Sequence, residues 1–175
     1  MSKANQTVKG YDYSPKVSNA TQIILAHKGD KARMRLISAP LPVYDSLVEK
    51  TTGEVKIKER FAWLAIHKEV REGKAVRTVK VFKSGTAVYL AIKALVDSPL
   101  WGDPTGYDIV VERTETFGSY YNVTPVQKVP MTEYEKQLER EHTIDLETFF
   151  GTTAQAAPMR NVDDFDALDN IERTE

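Results

Sequence analysis

Apolar and polar positions alternate at period two through most of the chain between Arg33 and Val123, and a helical period of roughly 3.6 interrupts them once. Gln22–Ala26 is a short apolar run that suits a strand or a brief helix. Arg33–Ser38 alternates, with Met34 and Leu36 on one side and Arg33, Arg35 and Ile37 on the other. Pro40 and Pro42 then interrupt regular structure. Val43–Val48 follows, a turn is expected at Thr51–Glu54 around Gly53, and Lys56–Lys68 reads as one long strand or two joined ones. Gly73 marks a hairpin tip at Arg71–Lys74, and Val76–Lys83 is the next strand. Val88, Ile92, Leu95 and Val96 form one stripe of a helix over Thr86–Asp97, with Ser84 or Thr86 as N-cap and Pro99 as its stop. The connector Leu100–Gly106 must turn sharply, because it holds two glycines and a proline. Asp108–Arg113 and Ser119–Val123 form a last hairpin about Gly118. Thr132 and Glu135 have capping-box spacing, which predicts a helix over Thr132–Phe150.

This order predicts an all-β to α+β chain. Five to seven short strands with one inserted helix suit an OB-fold-like barrel over 21–130, although other small α+β sheets would give the same string. A flexible arm is expected over 1–20, a helical extension over 131–150, and a disordered acidic tail over 151–175.

Charge sharpens that division. Residues 1–130 hold 20 Lys and Arg against 13 Asp and Glu, a balance of +7, whereas residues 131–175 hold 4 against 12, a balance of −8. A basic body followed by an acidic tail points to a polyanion-binding domain with an appendage of separate role. The sequence has no cysteine, so it offers neither disulfides nor thiolate metal ligands. It has no signal-peptide pattern at its start and no run of about 20 apolar residues, so a soluble, cytoplasmic protein without membrane contact is expected.

Sorting the strands by parity suggests a binding surface. Taking Met34, Leu36, Leu64, Ile66, Val79, Val81, Tyr121 and Val123 as core leaves Arg33, Arg35, Phe61, Trp63, Lys80, Phe82 and Tyr120 outside. Cations interleaved with aromatics suit single-stranded nucleic acid: the cations hold phosphates and release counterions, while bases stack on the rings. The opposite parity, with Phe61, Trp63 and Phe82 in the core, satisfies the same alternation.

Other chemistry has little support. His27, His67 and His142 are isolated, and the Asp163, Asp164, Asp166, Asp169 group lacks the glycine and terminal glutamate of a calcium loop. No phosphate-cradling glycine motif followed by Lys-Ser or Lys-Thr occurs. The expectation is a non-enzymatic protein without a metal or cofactor.

The segment WGDPTGYDI at Trp101–Ile109, followed by VVER and YYNVTP, resembles the phage-type single-stranded DNA-binding proteins. The similarity extends upstream through RFAWLAIH, VKVFKSG and ALVDSPLWGDP, over residues 30–130. That resemblance implies an OB-fold core that binds exposed strands without sequence preference in replication, recombination or repair, in the host cytoplasm if the chain is of phage origin. It also implies an acidic C-terminus that contacts replication or recombination proteins. Within Asp163–Ile171, the residues Asp163, Asp164, Phe165, Asp166, Leu168, Asp169 and Ile171 mix acids with apolar side chains suited to that role. The chain departs from bacterial relatives whose tails end in Pro-Phe, since it ends in Arg173, Thr174 and Glu175, and it has no zinc-binding Cys–His set. The same body would serve a recombination or annealing accessory protein, a virion or scaffold protein remains the other class, and self-association is compatible with each.

Overall fold

The computed structural model describes residues 7–8, 11–12, 21–116 and 119–150. Near the start, β1 (Thr7–Val8) and β2 (Tyr11–Asp12) pair antiparallel. The main sheet has seven strands: β3 (Gln22–Ile23), β4 (Lys31–Leu36), β5 (Leu41–Val48), β6 (Val55–Arg71), β7 (Lys74–Ser84), β8 (Ile109–Thr116) and β9 (Ser119–Pro125). Helix α1 (Thr86–Asp97) joins β7 to β8, and α2 (Glu133–Glu141) and α3 (Leu146–Phe150) follow the sheet. The chain is therefore mostly β with a few helices, as its periodicities predict. Among the described residues, no helix is long and apolar enough to cross a membrane.

The sheet runs β3–β7–β6–β4–β8–β9, and β5 also pairs with β6. All of these pairings are antiparallel except β3 with β7, so the sheet is mixed. β4 and β5 lie one after the other along the same edge of β6, opposite residues 65–68 and 55–62. At the break between them the ladder is bridged: Ile37 N–H donates to the Leu64 carbonyl at 2.9 Å, and Leu64 N–H donates to Ser38 Oγ at 2.8 Å. The proline interruption is narrower than the sequence suggests. Pro42 sits inside β5, which pairs with β6 alone and so leaves one edge where a missing N–H costs no ladder bond.

Two further expectations are corrected. The N-cap of α1 is Gly85, without a side-chain cap; Ser84 closes β7 and Thr86 is already helical. The helix expected over Thr132–Phe150 is two helices. The capping box at Thr132 and Glu135 is formed, but backbone at His142 turns extended, and Asp145 starts α3 by accepting from Thr148. That break lets Ile144 and Leu146 turn onto the sheet.

Both faces of the sheet are buried over part of their area. On one face Met34, Leu36, Phe61, Trp63, Ala65, Phe82, Ile109 and Val111 pack with Val88 and Ile92 of α1. On the other, Val43, Ala62, Leu64 and Val81 pack with Leu146, flanked by Ile144, Phe149 and Phe150. The long β6 is thus apolar at both parities because α1 covers one side and the C-terminal segment the other.

Candidate nucleic-acid interface

Register, rather than parity within single strands, decides which side chains share a face. Leu36 stands opposite Ala65, and Met34 opposite His67, so Met34 and Leu36 lie on the same side as Phe61 and Trp63. Trp63 in turn stands opposite Phe82. The predicted set therefore divides: Phe61, Trp63, Lys80 and Phe82 share the α1 face, while Arg33 and Arg35 are on the reverse.

The aromatic members are corrected from exposed to buried. Trp63 is 1% exposed, Phe82 3% and Phe61 9%. Trp63 lies against Phe82 at 5.7 Å between ring centroids, and Phe61 is stacked on Tyr89 of α1 at 4.0 Å and 11°. Rings held this way have no face left for a base. Lys80 is also buried, with its Nζ 3.8 Å from Glu69. Tyr120 is half-buried on β9, two strands from β4. The partner-binding residues expected at Asp163–Ile171 lie outside the described residues.

The reverse face has a simpler composition than the sequence suggests. Among the described residues, β4, β6 and β7 place nine cations on it: Lys31, Arg33, Arg35, Lys56, Lys58, Arg60, Lys68, Arg77 and Lys83. Those three strands contribute no carboxylate to the same face, since Glu59 and Glu69 point to the α1 side. Leu64, Ile66, Val79 and Val81 run between the cations as an apolar strip.

Counter-charge arrives from elsewhere in the chain. Asp108, just before β8 and 1% exposed, accepts from Arg33 Nε and Arg35 Nε, each at 2.8 Å, and lies 3.0 Å from Lys68 Nζ. Glu135 of α2, also 1% exposed, pairs with Lys68 and with Arg77 Nε at 3.2 Å. Asp45 of β5 binds Lys83 Nζ at 3.0 Å and lies 3.7 Å from Arg60. Asp108 and Glu135 were evident in the sequence only as part of a turn segment and of a capping box, because neither pattern says which distant cations a carboxylate will meet.

Burial works against ionisation of both carboxyls, yet their cationic partners prevail. Hydrogen bonds from Arg33 and Lys68, and the nearby Arg35 charge, hold Asp108 below its ordinary pKa; Lys68, the Thr132 N–H and Arg35 do the same for Glu135. The stabilisation from a depressed carboxylate is present above its unfolded pKa and is lost as pH falls through the folded value. These two carboxylates should therefore add a loss of thermal stability below about pH 4, on top of the loss that His67, held below its ordinary pKa by burial and by Lys80, begins below about pH 6.5. A melting temperature unchanged down to about pH 2 would contradict these pairings.

A second concavity competes for attention. A cleft of about 480 Å³ lies between α1 and the Ser38–Pro40 connection, with Trp63, Tyr89, Ile92 and Val96 among its walls. Its ionic lining residues are Lys93, Asp97 and Asp103, and Lys93 is already paired with Asp97. That excess of carboxylate repels phosphates, so the basic face is the better polyanion site. Comparison of the chain with protein-family models, with curated proteins and with solved structures finds no match.

Proposed function

We propose that this protein binds single-stranded DNA without sequence preference through the basic face of β4, β6 and β7. The observation that carries the reading is the nine cations that three adjacent strands place on one face without a carboxylate of their own, the counter-charge there coming from residues outside those strands such as Asp45, Asp108 and Glu135. An apolar strip flanked by cations suits a single strand: once the C-terminal segment that packs on Leu64 and Val81 moves aside, bases can lie on that strip while phosphates meet the flanking charges. A duplex offers phosphates alone, since its bases are already stacked.

The strand order gives further support. Setting aside the two-residue β3 at the edge and taking β4 with β5 as one bent first strand, the sheet reads third, second, first, fourth, fifth, with α1 between the third and fourth. That order is compatible with an OB-type barrel left open between its third and fifth strands, and we propose that architecture for residues 21–130. The resemblance of residues 30–130 to phage-type single-stranded DNA-binding proteins points the same way. On this reading the protein protects exposed strands in replication, recombination or repair, and the acidic residues beyond α3 recruit partner proteins.

Fluorescence anisotropy with labelled oligo-dT, compared with duplex of equal length, tests the proposal. Oligo-dT should bind more tightly, and log K should fall with log salt by about 0.7 per phosphate engaged. Equal affinity for the duplex, or affinity indifferent to salt, would exclude the proposed mode.

A further inference from the structure

Counter-charge on the basic face comes in part from a segment that is not part of the sheet. Residues 132–150 hold two cations, Lys136 and Arg140, against six acids, so the segment has a balance of −4. It lies over the basic face. Glu135 contacts Lys68 and Arg77, and Ile144, Leu146, Phe149 and Phe150 pack on the apolar strip around Leu64 and Val81. The Lys83 ammonium is 5.9 Å from the centroid of the Phe150 ring. A carboxylate among cations and aromatic rings on an apolar strip are the same two contacts that a nucleotide chain would make there.

The cover is fastened at few points. Glu135 is the buried residue of α2, and Leu146 that of α3. A cleft of about 440 Å³ separates α2 from β7, lined by Thr78, Val79, Tyr134, Leu138 and His142 among others. Beneath a segment held at so few buried points, Lys68 and Arg77 can exchange one carboxylate for phosphates that arrive several at a time on one chain.

We infer that residues 132–150 form a displaceable cover over the basic face, with Glu135 holding the place of a nucleic-acid phosphate at Lys68 and Arg77. This rests on the proposed binding of single-stranded DNA. Apparent affinity is then the intrinsic affinity reduced by the fraction of molecules with the cover undocked.

The test uses the full chain with Glu135→Gln. Glutamine can still accept from the Thr132 N–H, so the capping box survives while the charge facing Lys68 and Arg77 is removed. Glu147→Gln, on the exposed side of α3, is the control for net charge. Glu135→Gln should bind oligo-dT about three- to tenfold more tightly than wild type at low salt, and Glu147→Gln should match wild type. Hydrogen exchange in residues 132–150 of the wild-type protein should accelerate when oligo-dT is added. Binding by Glu135→Gln alone would also support the cover. Equal affinities for all three proteins, with residues 132–150 as protected in the complex as without DNA, would overturn the cover and leave DNA binding through the flanking cations standing. Failure of all three to bind oligo-dT would overturn both.

Discussion

Trp63→Ala is expected to lower folding stability by about 3–5 kcal/mol while leaving oligo-dT affinity per folded molecule unchanged. The ring is 1% exposed and lies at the centre of the aromatic group, 5.7 Å from Phe82 and 6.5 Å from both Phe61 and Tyr89 between centroids. Removing it opens a void that β6, hydrogen-bonded on both edges, cannot collapse to fill. At about 2–4 °C per kcal/mol for a chain of this size, the melting temperature should fall by roughly 10 °C. Trp63→Phe keeps most of the ring area and should lose much less. The measurement separates the two possible parities of β6. If Trp63→Ala melted like wild type and lost oligo-dT affinity, the ring would be a base-stacking residue and the face assignment would be wrong.

That parity marks the limit of what the sequence makes legible. Alternation within Lys56–Lys68 identifies a strand and pairs Trp63 with Phe61, and Leu64 with Ile66, as the structure does. It cannot say which pair faces the core, because both do: Trp63 packs beneath α1, and Leu64 lies near Leu146. The deciding contacts, Leu36 opposite Ala65 and Trp63 opposite Phe82, join residues about 20–30 positions apart and depend on pairing rather than propensity. Arg33 and Arg35 were legible as a cationic pair opposite Met34 and Leu36. Their partner Asp108 was legible only as part of the WGDPTGYDI turn, since nothing in the sequence pairs it with arginines more than 70 residues away. The capping box at Thr132 marks the start of α2 correctly, but the break at His142 is set by tertiary packing of Ile144 and Leu146.

Asp108→Ala should produce a loss of similar size for an electrostatic reason. Its carboxylate joins Arg33, Arg35 and Lys68, and these partners are unequal in their alternatives. The Arg33 side chain is 52% exposed and can turn to water, and Lys68 keeps Glu135. Arg35 has less of either: its side chain is 2% exposed, its Nη1 finds no hydrogen-bond partner among the described residues, and Glu135, though near enough to feel its charge, forms no ion pair with it. Without Asp108 a buried guanidinium loses its close counter-charge, which costs about 3–5 kcal/mol. Asp108→Asn keeps an acceptor but not the charge and should fall between alanine and wild type. The double substitution Arg35→Met with Asp108→Leu removes the charge and its partner together, and should recover most of the stability because burying a well-packed apolar pair needs no desolvation of ions. Urea unfolding of wild type, Arg35→Met, Asp108→Leu and the double variant closes a double-mutant cycle and gives the coupling energy directly. A single Asp108→Ala protein within about 0.5 kcal/mol of wild type would mean that Arg35 reaches solvent or another anion, and the basic face would then be open at its centre. A large loss that the double variant restores would instead fix Arg35 as a buried structural charge. Phosphate contacts would then fall to the more exposed Arg33, Arg77 and Lys83 around it.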